Sequence, residues 1–96
     1  MATAIDYVMN SLSKKHVECK QYLCTLIDEA IKSKEAYGKL HGEEFDNELN
    51  HYWNVLSKIN GCLWALHHAG IIKSREKCIQ AERQIRKYIE RGGSDD

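Results

Sequence analysis

The chain has 96 residues, no proline, 14 basic and 14 acidic side chains, and four cysteines. This length allows one domain with a modest core, and a net charge of zero argues against a bulk polycation for nucleic acid or an acidic mimic of it. Because no basic segment precedes an apolar run at the amino terminus, and no stretch approaches the ~20 apolar residues of a membrane span, we expect a cytoplasmic protein with reduced cysteines and no membrane partner.

The first predicted element is one long helix over 4–37. Thr3 and Asp6 form a capping-box pattern at its start. Its weakest point is Asn10-Ser11-Leu12-Ser13, where polar side chains compete with the backbone for hydrogen bonds, so a kink or break there is the alternative to a continuous helix. An apolar stripe of 4-3 spacing predicts the helix and consists of Ile5, Met9, Leu12, His16, Cys19, Leu23, Leu26, Ala30 and Tyr37.

The second predicted helix covers 43–69 and folds back on the first. The connection at 38–42 is too short for any other arrangement, which predicts an antiparallel, coiled-coil-like hairpin. Gly70 supplies the left-handed residue of a Schellman ending, and Ile71 is expected to pack back on Leu66. The stripe of this helix consists of Phe45, Leu49, Tyr52, Leu56, Ile59, Leu63 and Leu66.

The third predicted helix covers 74–91, with Ser74 as its N-cap. Its inner face is expected to consist of Cys78, Ala81, Ile85, Tyr88 and Ile89. The fold class is therefore all-α, a three-helix bundle built on a long hairpin. Residues 1–91 are predicted to form a single helical domain, and residues 92–96 a short polar disordered tail.

The relative lengths of the helices predict an uncovered surface. Aligned about residue 40, the third helix returns only as far as about Tyr52, which leaves the upper half of the hairpin as two helices that cannot close a core. Trp53 is the first candidate for an interface anchor, because it is a large aromatic residue beside that seam. The predicted interface consists of Trp53, Phe45, Leu49, Ile31 and Ile27, which together with Ala30 are expected to be partly exposed.

The third helix also offers a polar, basic face. Side chains of these types contact phosphates and bases, although most basic helical faces are only solvated. A helix-turn-helix fits poorly, because Glu76 falls where an apolar packing residue is needed. The candidate nucleic-acid contacts are Arg83, Lys87, Arg91, Gln80 and Gln84.

Metal binding and catalysis have weaker support. His16 and Cys19 lie at i and i+3, and the hairpin register brings Cys62 and Cys78 to a similar level, but simple packing explains these residues better than a zinc site. The adjacent His67 and His68 point about 100° apart, and a helix C-terminus favours histidine for dipole reasons alone. We expect no metal and no cofactor, no enzymatic activity and no small-molecule substrate.

The sequence favours a non-enzymatic protein-protein interaction module. It would present the hairpin surface to its own copy or to a larger protein, as adaptors, assembly factors, antitoxins and inhibitors do. The alternative is a small nucleic-acid-binding regulator that uses the basic face of the third helix.

Overall fold

A computed structural model of the chain describes residues 4–12 and 15–93. This part is all-helical, with 83% of it in helices and no strand. The helices are α1 (Ala4–Leu12), α2 (Val17–Tyr37), α3 (Gly42–His68) and α4 (Arg75–Glu90). The all-α class is confirmed, but the structure has four helices where three were predicted, because the first predicted helix is divided in two.

The division falls at the weakest point of the predicted helix. The Ser11 hydroxyl donates a hydrogen bond of 2.8 Å to the Tyr7 carbonyl, the kind of side-chain bond that competes with the helical ladder. The His16 amide still donates to the Leu12 carbonyl at 3.1 Å, but His16 itself has φ −128° and ψ 44° and so leaves the helical conformation. The alternative of a break is therefore correct. Thr3 and Ser13 lie outside the described residues.

The break lets α1 fold onto α4 rather than extend the hairpin. The Ile5 amide donates a hydrogen bond of 3.1 Å to the Gln84 side chain, and the Lys77 ammonium lies 6.0 Å from the centre of the Tyr7 ring. Val8 and Leu12 are fully buried in this contact. Val8 was absent from the predicted stripe, since that stripe assumed that one face of a continuous helix meets α3.

The hairpin of α2 and α3 has the predicted antiparallel arrangement. Ser33, 3% exposed between the helices, donates a hydrogen bond of 2.8 Å to the Glu48 carboxylate. On the solvent side, His51 and Glu29 lie 3.0 Å apart, and both are well exposed, so this pair contributes little. The hairpin core consists of Leu23, Leu26, Ile27, Ala30, Tyr52, Val55, Leu56, Ile59, Leu63 and Leu66.

The connection from α3 to α4 has the predicted Schellman ending. Gly70 has φ +80°, its amide donates to the His67 carbonyl at 3.0 Å, and the Ile71 amide donates to the Leu66 carbonyl at 3.0 Å. Ile72, not only Ile71, packs into the core and is 0% exposed. The Ser74 hydroxyl accepts a hydrogen bond of 3.2 Å from the Lys77 amide, which confirms Ser74 as the N-cap.

The position of α4 corrects the predicted exposure of the hairpin. The helix lies against both α2 and α3, and the Lys34 ammonium donates a hydrogen bond of 2.8 Å to the Glu90 carbonyl at its end. It therefore covers part of the upper hairpin, where Ile27 is 8% exposed and Ala30 is 0% exposed. The expectation that these two residues are partly bare is wrong, because it treated α4 as a neighbour of the second hairpin helix alone.

Candidate functional site

Four aromatic rings at the far end of the hairpin form one connected group, which we call the aromatic tip: Phe45, Tyr37, Tyr52 and Trp53. Successive ring centres lie 5.7, 5.4 and 5.7 Å apart, all with edge-to-face geometry. Such pairs contribute about 0.5–1.5 kcal/mol each beyond the area that they bury. Tyr52 is almost fully buried, whereas Trp53 is 51% exposed. The tip therefore presents an exposed indole on a buried aromatic support.

Tyr52 connects the tip to the end of α4. Burial raises the pKa of its phenol above the usual 10.0, and the neighbouring Tyr37 and Glu90 raise it further, while Arg86 acts in the opposite direction. The end of α4 extends past the level of Tyr52, because Glu90 accepts a hydrogen bond from Lys34 and lines a groove with Gly38 and Lys39 at the hairpin turn. The expectation that this helix returns only as far as about Tyr52 is therefore wrong. The neutral phenol is a stable part of the support beneath Trp53 at physiological pH.

The other predicted interface residues occupy different positions. Phe45, a member of the aromatic tip, and Leu49, four residues later on α3, are half-buried, and Ile27 is buried. Ile31, also half-buried, lines a shallow groove of about 340 Å³ with Ile89, where α2 meets the end of α4. The structure therefore brings together Trp53, Phe45 and Leu49, and assigns Ile27 and Ile31 to the packing of α4.

The basic face of α4 is reduced to three cations. Arg83, Lys87 and Arg91 are exposed and spaced four residues apart, and within the described part of the chain none has a carboxylate partner. Gln84 is half-buried and accepts the hydrogen bond from Ile5, so it has a structural role. Gln80 donates to Glu76 at 3.5 Å and is also half-buried.

The cysteines that were considered as metal ligands are mostly packing residues. Cys78 is 2% exposed, and its thiol lies 3.7 Å from the Leu63 carbonyl. Burial raises the pKa of Cys78. The pKa of Cys62 is also raised, mainly by burial and to a smaller extent by the nearby Cys19. Across residues 4–12 and 15–93, no group of three or more histidine, cysteine or acidic side chains, His16 included, has a metal-binding arrangement.

The two histidines at the end of α3 are part of a ring cluster. The Trp64 ring centre lies 5.8 Å from that of His67 and 6.3 Å from that of His68. The Arg75 guanidinium stacks on the Trp64 ring at 5.8 Å, and His67 Nδ1 lies 2.8 Å from the Ile72 carbonyl. This cluster fixes the connection between α3 and α4, which gives His67 a structural role.

A groove between α1, α2 and α4 was not predicted. It has a volume of about 670 Å³, apolar walls that include Met9 and Tyr88, and Lys87 and Arg91 on its α4 side. It exists because α1 is separate from α2 and packs against α4. A sequence signal for it was the polar segment at Asn10 to Ser13, since a break there frees the first helix to form a wall.

Comparison of the chain with protein-family models, with curated proteins and with solved structures finds no match. None of the four described helices combines the length and the apolarity that crossing a membrane requires.

Proposed function

We propose that the protein is a non-enzymatic protein-protein interaction module of the adaptor, assembly-factor, antitoxin or inhibitor type. Its working surface would be the tip surface, which we define as Trp53, Phe45 and Leu49. The observation that carries the proposal is the half-exposed indole of Trp53 held edge-on by the buried Tyr52 ring at 5.7 Å. A large aromatic side chain that is already ordered loses little entropy on binding, which is typical of interface hot spots.

The chemistry of the thiols supports a non-enzymatic role. Thiolates, not thiols, act as nucleophiles, and burial raises the pKa of both Cys62 and Cys78. His67 and His68, at the end of α3, are part of the Trp64 ring cluster, and His67 contacts the α3–α4 connection. The protein would thus act by binding.

The partner would be a second copy of the chain or a larger cytoplasmic protein with an apolar recess for the indole. The tip surface is flanked by charged and polar side chains, and such a rim around an apolar centre is characteristic of transient interfaces. Phe45 and Leu49 are half-buried already, so a partner would complete their burial rather than cover a fully exposed patch.

The experiment is affinity capture of the tagged full chain from its native cell, treated with nuclease and read by quantitative mass spectrometry. Trp53→Ala should reduce partner recovery by more than about tenfold, because truncating an aromatic hot spot costs about 2 kcal/mol or more. Tyr22→Ala is the matched control, since Tyr22 is also 51% exposed but lies on α2. Equal recovery with both variants would contradict the proposal.

The second candidate function is nucleic-acid binding through α4. Arg83, Lys87 and Arg91 favour it: they form one row of cations that has no carboxylate partner among residues 4–12 and 15–93, and such a row attracts phosphates. Charge reversal at Arg83 and Lys87 should then abolish gel shifts with DNA or RNA, and affinity should fall steeply with salt. The Trp53→Ala variant should bind normally. Capture through an apolar surface has the opposite pattern and hardly responds to salt.

A further inference from the structure

The groove between α1, α2 and α4 has the size and lining of a small-ligand site. Its volume of about 670 Å³ falls within the range of about 300–1,000 Å³ that is usual for such sites. Ile5 and Met9 on α1 and Tyr88 on α4 are half-buried walls, and the fully buried Ile85 lies beneath them. Methionine is flexible and adapts to the shape of an apolar guest.

The charges of the groove are separated between its walls. Lys87 on α4 and Arg91, the C-cap residue that follows it, lie four residues apart. Both are exposed, and neither has an ion-pair partner among the residues described. Like charges at this spacing repel each other. An anion between them would relieve that repulsion and would also accept charge-assisted hydrogen bonds from both side chains. The acidic side chains of the lining, Asp6 and Asp28, come from α1 and α2. They disfavour an anion at those walls and so direct it to α4.

We propose that the groove binds a single-chain anionic amphiphile. The apolar chain would lie on Ile5, Met9 and Tyr88, and its carboxylate or phosphate head would contact Lys87 and Arg91. Neither an anion without a chain nor an apolar chain without a charge satisfies both parts of the lining. The inference does not depend on the proposed interaction function, because the groove and the tip surface share no residue. The sequence indicated no small-molecule substrate, and this groove was not predicted, since it exists only because α1 packs on α4.

The probe is dodecanoate, titrated below its micellar concentration into the full chain by calorimetry. We expect saturable one-to-one binding of dodecanoate, and dodecyl phosphate tests whether a phosphate head is accepted as well. Acetate lacks the chain and dodecyltrimethylammonium reverses the head charge, so both should bind at least about tenfold more weakly. Equal binding of dodecyltrimethylammonium, or binding of dodecanoate only as micelles, would overturn the proposal.

A chemical footprint locates the ligand. Cys24 lines the groove and is exposed, whereas Cys19, five residues earlier on α2 and half-buried, does not line it. Bound dodecanoate should therefore slow alkylation of Cys24 and leave alkylation of Cys19 unchanged, as measured by peptide mass spectrometry. Protection of both thiols, or of neither, would contradict binding in this groove.

A matched pair of variants tests the head-group contacts. Lys87→Gln with Arg91→Gln should weaken dodecanoate binding by at least about tenfold, since two charge-assisted contacts are lost. Lys73→Gln with Arg83→Gln removes the same charge from exposed positions outside the groove and should leave the affinity unchanged. Circular dichroism verifies that both variants keep the helical fold. If an acidic peptide or an oligonucleotide bound the groove and excluded dodecanoate, the proposal would be wrong.

Discussion

The two ends of the α2–α3 hairpin have the same apolar spacing but different packing. At the base, Leu23 and Leu63 are completely buried and α4 lies across the seam. At the tip, Phe45 and Leu49 are only half-buried and Trp53 is 51% exposed, although the end of α4 reaches Lys34 on the neighbouring helix. The apolar pattern of a helix therefore shows which side is buried, whereas the length and position of the neighbouring helix decide how completely.

The base and the tip also differ in what a substitution should do. In the base, α4 packs against both hairpin helices and the side chains between them are buried, so packing dominates the free energy of folding. In the tip, the aromatic rings support each other, and the solvent-facing edge is available to a partner. Substitutions at the base should change stability, and substitutions at the tip should change binding.

The largest expected effect is at the base. Leu63→Ala removes a side chain that is 0% exposed and should lower the free energy of unfolding by about 3 kcal/mol. Leu49→Ala, at the half-buried tip, should cost about 1 kcal/mol. Urea unfolding followed by circular dichroism measures both. Equal losses would show that the tip is as tightly packed as the base.

Gly70 tests the connection at the base. Its φ of +80° is unfavourable for any residue with a Cβ, although no atom lies within 4 Å of where that Cβ would be. Gly70→Ala should therefore destabilise the protein by about 1 kcal/mol through backbone strain alone, without a steric clash. Thermal unfolding is the measurement, and an unchanged midpoint would mean that the Schellman ending is not needed.

Gly61 is the contrasting glycine, in the middle of α3. It is exposed, has no positive φ, and would place a Cβ in open space. Gly61→Ala should stabilise the protein by about 0.5–1 kcal/mol, because alanine has the higher helix propensity and restricts the unfolded chain. The same thermal unfolding assay should move the two glycine variants in opposite directions. Destabilisation by Gly61→Ala would indicate an unseen contact on that face of α3.

The smallest expected effect is a loss of stability in alkali, caused by thiols of the base. Burial raises the pKa of Cys62 and Cys78 above the usual 9.0 in the folded protein. Below pH 9 both states hold these protons, and as the pH rises the unfolded chain loses them first, so stability decreases until the folded pKa is passed. Urea unfolding between pH 8 and about pH 10.5 should show this decrease. Cys78→Ala should make it shallower, and an identical slope would exclude the thiol as its cause.

Much of the fold was predictable from local signals. The bounds of α3 and α4, the cap at Ser74 and the glycine ending at Gly70 each depend on a few neighbouring residues whose conformational preferences act locally. The break in the first predicted helix was not predictable in this way. The 4-3 stripe continues through Leu12 and His16 whether or not the backbone between them is helical. The burial of Val8 followed from that break, since α1 meets α4 instead of α3.

The candidate site was predictable only in part. Trp53 was identified as a large aromatic residue beside a seam that was expected to be uncovered, and it is 51% exposed. The stated reason was wrong, because α4 extends past the level of Tyr52, so its lateral position and not its length leaves Trp53 exposed. Ile27 was misassigned because its exposure depends on the lateral position of α4, which no spacing rule specifies. Predicting the groove would have required the position of α1 as well as that of α4. Both positions depend on packing between helices, which local sequence patterns do not specify.

Sedimentation of the pure protein tests most directly whether the tip surface is an interface. We expect a dimer at micromolar concentration, weakened by Leu49→Asp because a charge in an apolar contact is costly, and unaffected by Tyr22→Ala. Circular dichroism should show that the Leu49→Asp variant keeps its helical base. A protein that stays monomeric at high concentration would remove the second copy as the partner and leave the larger protein. A dimer that persists unchanged in Leu49→Asp would contradict the account.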